Sequence, residues 1–298
     1  MRRLALIAVV LLAIAWLIAG ALLCEGALHV PRVPIAASPG LHAAGVTSGH
    51  DVEIPAADGI RLRATFLSPP SPGRGCVLIL HGVADSRGGT LGFAQMFTAA
   101  GYSVLAVDSR GHGASGGELV TYGLFERGDI LRWAAWLRDS GCNALYGLGE
   151  SMGAAILIQA AAERPVFDAI VAECPFADLR TMAEERIVQA LRGPRLIRRM
   201  LATIVVPSGF FYARVRYGFD LREVSPVTAA ARLTTPTLLI HGSADTNIPA
   251  AHSIAIATAG PSVSLWLVPG AEHTAAWAHA PREFQAKVLE WLELHRPG

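Results

Sequence analysis

The chain has 298 residues, of which 52% are hydrophobic and 16% charged, and its formal net charge is +1. That composition is too apolar for a disordered chain, and four cysteines are too few for a disulfide-dense scaffold. The near-zero charge gives no electrostatic reason to expect nucleic acid or a strongly anionic partner.

The apolar excess sits at the front. Arg2 and Arg3 precede an uncharged, largely apolar run from Leu4 to Leu23, which at about 1.5 Å per residue is long enough to cross a hydrocarbon core of roughly 30 Å. Residues 1–24 therefore read as an N-terminal transmembrane helix that attaches the chain to a membrane. A cleavable signal segment is the alternative, because Ala19-Gly20-Ala21 offers the small residues of a cleavage site. A buried helix of the globular part is a third reading. The first two place the remainder outside the cytoplasm, membrane-anchored or secreted, since the arginine pair stays inside and no second run of that length follows. Leu22 and Leu23 stand where a lipoprotein site at Cys24 would need small residues. Cys24, Cys76, Cys142 and Cys174 show no paired metal spacing, so no zinc site is expected. An extracytoplasmic location permits a disulfide among them without requiring one.

Residues 25–49, rich in Pro, Ala and Gly from Val30 onward, read as a linker. The folded domain then spans residues 50–298. Val52, Ile54, Ile60, Leu62, Ala64 and Phe66 alternate with polar residues around Asp58-Gly59, the pattern of an antiparallel hairpin. Six short apolar runs follow, at 76–80, 103–107, 144–148, 169–172, 237–240 and 263–268. Helical patterns lie among them at 91–100, 122–140, 152–163, 250–259 and 283–295. Strand alternating with helix predicts an α/β fold: a mostly parallel central sheet with helices on both faces. Residues 178–225 exceed any single crossover and read as an insertion after the sixth strand. Met182, Ile187, Leu191, Leu196, Ile197 and Leu201 alternate there with arginines, and Gly193-Pro194 breaks the pattern. Phe210, Phe211, Tyr212 and Tyr217 add an aromatic patch to the insertion.

In such sheets the ligand site lies beyond the carboxyl ends of the strands. Gly149-Glu150-Ser151-Met152-Gly153 fits G-x-S-x-G between a strand and a helix, the context that gives the motif meaning. Gly149 and Gly153 would let the strand and helix pass closely at this nucleophile elbow, with Ser151 on the turn. A serine hydroxyl needs a base to take its proton and an acid to orient that base. Asp245 and His273 follow the next-to-last and last strands, in the order Ser, Asp, His. His81, His112, His241, His252 and His279 are rival bases, and Glu173 and Asp178 are fallback positions for the acid. The oxyanion would be met by the backbone N–H groups of Met152, directly after Ser151, and Val83, after His81-Gly82. This chemistry calls for no metal and no organic cofactor.

Together, LILHG (78–82), DSRGHGASGG (108–117), GESMG (149–153), AECPFADL (172–179), LLIHGSADTNIP (238–249) and PGAEH (269–273) resemble the α/β-hydrolase superfamily. The likeness is to membrane-anchored members similar to serine-aminopeptidase-like and dienelactone-hydrolase-like proteins, and it runs from about Asp51 to the C-terminus. It implies Ser151 as nucleophile, Asp245 as acid, His273 as base, Val83 and Met152 as oxyanion donors, and the insertion as a cap. Asp108 and Arg110 are structural in this reading. The expected activity is hydrolysis of a carboxylic ester or thioester, the substrate being a small-molecule or lipid-like acyl compound. A serine peptidase or amidase is the alternative, with Glu184-Glu185 able to meet an amino terminus. A non-catalytic anchored binding module is the third. No signal for an oligomeric state is present.

Overall fold

The computed structural model describes residues 2–33 and 48–298. Most of the expected linker, residues 34–47, lies outside the described residues. The chain divides into two compact units. One joins the residues up to His29 with Asp178–Val224, and the other joins Val30–Ala177 with Ser225–Gly298.

The second unit is built on an eight-stranded sheet. Strands β1 (Ser48–Pro55) and β2 (Arg61–Ser68) form the expected antiparallel hairpin. It turns at Asp58-Gly59, where φ at Gly59 is 82°, a conformation that glycine reaches without strain. β3 (Cys76–Leu80), β4 (Ser103–Asp108), β5 (Leu145–Glu150), β6 (Ala169–Glu173), β7 (Thr237–Gly242) and β8 (Val263–Val268) complete the order β1-β2-β4-β3-β5-β6-β7-β8. From β4 to β8 every pairing is parallel, while β2 pairs with β4 antiparallel, so the sheet is mixed with an antiparallel edge. Every residue of β3 and β4 is buried, which is why these strands read as unbroken apolar runs rather than alternations.

Helices cover both faces. On one face Phe93 and Phe97 of α2 (Leu91–Ala99), with Phe284, Val288 and Leu292 of the C-terminal helix, pack on Val77, Ile79, Val104 and Tyr146. On the other, α4 (Met152–Glu163) lies so close to β5 that a Cβ at Gly147 would stand 2.8 Å from the Leu157 side chain. α3 (Glu126–Asp139) packs beside it through Ile130, Trp133 and Leu137, all buried. α3 begins four residues later than its apolar pattern suggests. Tyr122 and Gly123 have φ of 55° and 120°, which no right-handed helix accepts. The Glu126 carboxylate instead gathers the N–H groups of Thr121 and Gly123 and the Thr121 hydroxyl into a turn.

A disulfide joins Cys76, at the start of β3, to Cys142, just before β5, while Cys24 and Cys174 are free and buried. The chain leaves β3 for β4 on one side, and β5 takes the other. The carboxyl ends of β3 and β5 therefore flank the crevice where ligand sites form.

The first unit contains α1 (Arg2–Leu28), α5 (Leu179–Ala190) and α6 (Arg195–Tyr217). α5 is capped by the Asp178 carboxylate, which accepts the Thr181 N–H at 2.8 Å. The break between α5 and α6 falls at Gly193-Pro194. α6 ends at Gly218, in the left-handed conformation that closes helices. Both α1 and α6 are long and apolar enough to cross a membrane by length and composition, so α6 departs from the expectation that no second run of that length follows. Three helices, short or terminal, complete the second unit: α7 (Pro226–Ala230), α8 (Ala251–Ala259) and α9 (Ala276–His279), with α10 (Pro281–Leu294) as the C-terminal helix already described.

Candidate active site

At the carboxyl end of β5 the chain turns directly into α4 on one residue, Ser151, with φ of 50° and ψ of −110°. Such a conformation costs a non-glycine residue energy and lifts its side chain clear of both elements. The turn is possible because its flanks are bare. A Cβ on Gly149 would sit 2.5 Å from the Gly153 carbonyl oxygen, and one on Gly153 would sit 2.6 Å from that of Leu80. The Ser151 N–H donates to the Glu173 carbonyl of β6 at 2.7 Å, which ties the elbow to the neighbouring strand.

The three side chains expected together are brought together. His273 Nε2 lies 3.0 Å from Ser151 Oγ, and His273 Nδ1 lies 2.6 Å from Asp245 Oδ2. Asp245 Oδ1 accepts the N–H groups of Asn247 and Ile248, both at 2.8 Å. Burial alone would raise the Asp245 carboxyl, but hydrogen bonds from His241, His273 and the Ile248 N–H outweigh it and hold the group well below the usual carboxylate range. Asp245 thus stays ionised beside the imidazole.

The rival histidines have other employment. His81 Nδ1 donates to the Gly82 carbonyl at 2.6 Å while its Nε2 accepts the Ser109 N–H, and burial pushes its pKa down to about 4. His112 donates through Nδ1 to the Arg110 carbonyl and accepts the Ala84 N–H through Nε2; burial lowers it too. These two rings fix the turn that carries Val83. His241 Nε2 faces the Ile248 carbonyl at 2.8 Å and Asp245 Oδ2 at 3.3 Å, so its proton sits there and Nδ1 accepts from Ser253. His252 Nδ1 accepts the Ala177 N–H, and His279 packs beside Gly270. Of the fallback acids, Glu173 accepts the Ala276 N–H and is raised to about 7 by burial, and Asp178 caps α5.

Met152 is the first residue of α4, so its N–H is among those a helix leaves unsatisfied. Gly82 brings the turn after β3 against the elbow: a Cβ there would be 3.6 Å from Ser151 Cβ. Val83 and Met152 therefore flank Ser151 from two elements.

Asp108 and Arg110 each anchor a buried ion pair. Asp108 takes the backbone N–H and a guanidinium N–H of Arg87, both at 2.8 Å, and the Ala114 N–H at 2.9 Å. Arg110 grips Asp129 through two nitrogens at 2.6 and 2.7 Å. Cys174 escapes sequence reasoning. Its sulfur, Asp245 and His273 each offer one atom within 4.8 Å of the others. Burial holds that thiol protonated, far above its usual range, which suits packing rather than metal ligation. No local pattern marks it in the sequence, and its φ of 51° directly after β6 emerges only in the fold.

Residues 71–211 match the family described as serine aminopeptidase, S33, and residues 214–296 match the prolyl oligopeptidase family. The Bacillus subtilis protein YqkD is 29% identical over 246 residues, covering 80% of this chain and 78% of that one. A monoacylglycerol lipase of Mycolicibacterium smegmatis is 29% identical over 265 residues, covering 80% and 94%. Among solved structures, the Pyrococcus furiosus esterase Pf2001 superposes with a TM-score of 0.71 at 25% identity, over 89% of this chain and 98% of that one.

Proposed function

Because the chain belongs to the α/β-hydrolase superfamily, we propose that it is a serine hydrolase that cleaves a carboxylic ester or thioester through an acyl-enzyme on Ser151. The observation that carries this reading is the continuous path Ser151 Oγ, His273, Asp245, at 3.0 and 2.6 Å. As Oγ attacks the acyl carbon, its proton passes to His273 Nε2, and ionised Asp245 stabilises the imidazolium. The carbonyl oxygen, now anionic, meets the N–H groups of Met152 and Val83. Collapse of the tetrahedral intermediate expels the alcohol or thiol, which takes the proton from Nε2. Water then attacks the acyl-serine by the same steps in reverse and releases the acid.

A lipid-like acyl ester is the favoured substrate class, since the M. smegmatis relative is a monoacylglycerol lipase and the superposed P. furiosus protein an esterase. The match to the serine aminopeptidase family supports a second reading, cleavage of an amide or peptide. The sheet unit belongs outside the cytoplasm, at a membrane or released from it, and the Cys76–Cys142 disulfide favours such an oxidising compartment.

Fluorophosphonate labelling tests the mechanism. The intact protein should label, and Ser151→Ala should abolish labelling and lower turnover by roughly a millionfold, the loss such an activated serine carries in a protease. Equal labelling of both, or of neither, refutes the assignment of Ser151. Comparison of p-nitrophenyl acyl esters with amino-acid anilides separates the two substrate readings, and turnover of anilides alone would favour the peptidase.

A further inference from the structure

The segment that could be either an anchor or a removable leader is an integral half of a helix pair. Gly20, at the centre of the small-residue stretch, is buried on α6. A Cβ there would lie 2.3 Å from Ser208 Oγ and 2.5 Å from the Ser208 carbonyl carbon, so the two helices meet backbone to backbone. Across the same crossing a Cβ on Gly209 would stand 3.3 Å from the Gly20 carbonyl oxygen, 3.6 Å from the Leu23 side chain and 3.9 Å from Cys24 Cβ. Small residues opposed in this way are how helices pack where water does not drive them together.

Independent polar contacts fix the same register at both ends of the crossing. Pro207 breaks the hydrogen-bond ladder of α6, and next to that break the Trp16 indole N–H donates to the Ile204 carbonyl at 2.7 Å. At the far end the Glu25 carboxylate accepts the hydroxyls of Tyr212 at 2.8 Å and Tyr217 at 2.7 Å. Trp16 stacks on Phe211 between them, and Cys24 and Leu28 are almost wholly buried. Cutting after Ala21 would remove Trp16 and Gly20 and leave only residues 22–28 of α1, less than two turns, which do not hold as a helix alone. Glu25 would lose the frame that presents it to the two tyrosines.

We propose that α1 is a permanent part of the mature protein, docked on α6 as its membrane-embedded partner, and that Ala19-Gly20-Ala21 is a helix crossing rather than a cleavage site. The apolar surfaces left on the pair fit the same conclusion: Ile197, Met200, Ile204, Phe211 and Val215 of α6 are each more than half exposed, as suits acyl chains and not water.

The test uses the full chain with a C-terminal tag, taken from membranes. The intact mass of the wild type should include the residues before Ala21, whereas a mature N-terminus at Leu22 overturns the proposal. Gly209→Cys should form an intrachain disulfide with native Cys24 on mild oxidation, since 3.9 Å between Cβ atoms lies within the span of about 3.5–4.5 Å that disulfides bridge. Peptide mapping without reduction should find the link and should lose it when Cys24→Ser is added. Thiols that both remain free to alkylation, or a link formed only between two chains, overturn the docking. Should Gly209→Cys fail to accumulate, Gly20→Leu is set against Gly26→Leu, where a new Cβ meets nothing within 4 Å. Gly20→Leu should speed tryptic cleavage at the arginines of α6 roughly tenfold while Gly26→Leu leaves it unchanged; equal rates overturn the proposal. Fluorophosphonate labelling of the same samples reads the hydrolase assignment separately.

Discussion

Gly153→Ala is a one-carbon change that should disable the site while leaving the fold in place. The new methyl would stand 2.6 Å from the Leu80 carbonyl oxygen and 2.7 Å from that of His81. Both are backbone atoms at the end of a fully buried strand, so no side chain can yield. Ordinary contact requires α4 to retreat by about 0.8 Å. That retreat carries Met152 and Ser151 away from the turn that holds Val83, opening the gap between the two proposed oxyanion donors by the same amount. Useful donors lie about 2.7–3.1 Å from the oxyanion, a window only a few tenths of an ångström wide, and losing one costs about 100- to 1000-fold in turnover. We expect kcat/KM on a p-nitrophenyl ester to fall about 100-fold, with KM little changed and stability lower by about 1–3 kcal/mol from overpacking. Active-site titration with fluorophosphonate corrects for any unfolded fraction. Gly128→Ala is the control, because a Cβ there has open space. If Gly153→Ala keeps kcat/KM within about threefold of wild type, the packing constraint does not set the geometry of the donors.

Three further outcomes follow from groups away from the nucleophile. Replacing Cys76 and Cys142 by Ser opens a loop with a sequence separation of 66 residues; the chain-entropy relation gives about 4 kcal/mol, or a fall in Tm of roughly 8 °C or more by scanning calorimetry. A fall under about 2 °C would refute the loop-closure account. Asp108→Asn removes the buried carboxylate partner of Arg87 and leaves its guanidinium only the exposed Asp51, at 3.3 Å, and should lower stability to denaturant by about 3 kcal/mol; a loss under about 1 kcal/mol would show the pair to be dispensable. Glu150, next to Ser151, has its carboxyl raised from 4.5 to about 8 by burial and by the nearby Glu173 and Asp85. Folding therefore favours its protonated form, and between those two pH values the native state holds more protons than the unfolded one. Stability contributed by this group declines as pH rises, at up to about 1.4 kcal/mol per pH unit. Glu150→Gln should match wild type near pH 4.5 and exceed it increasingly toward pH 8 in thermal midpoint; parallel pH profiles would refute the burial argument.

Ser151, Asp245 and His273 were legible because each follows a strand in chain order, and strand ends share one edge of a parallel sheet. The hairpin at Asp58-Gly59 and the break at Gly193-Pro194 were legible because Gly and Pro impose local backbone geometry that no tertiary contact reverses. What stayed hidden depends on distance through space. Cysteine spacing does not encode pairing, so the link between Cys76 and Cys142 had no local mark. The bond of Arg87 to Asp108 spans 21 positions and two elements. His81 and His112 read as possible bases, and only their fully engaged ring nitrogens give them to the turn after β3. The start of α3 was misplaced because apolar periodicity carries no information on φ, and Tyr122 and Gly123 are excluded from a helix by φ alone.

Ser151, Cys174 and Thr274 share a φ near 50°, and they stand after β5, after β6 and beside His273. Each such residue costs on the order of 1–3 kcal/mol, set against a total stability of about 5–15 kcal/mol for a typical domain. Three of the five non-glycine residues with positive φ among the described residues are thus gathered where the reaction would occur, and Ala84, next to Val83, is a fourth. A descendant released from selection for activity would gain stability by accepting glycine at any of these positions, most of all at 151. Glycine at these alignment columns therefore offers a signature by which inactive descendants of such a chain can be told from working ones before any assay is run.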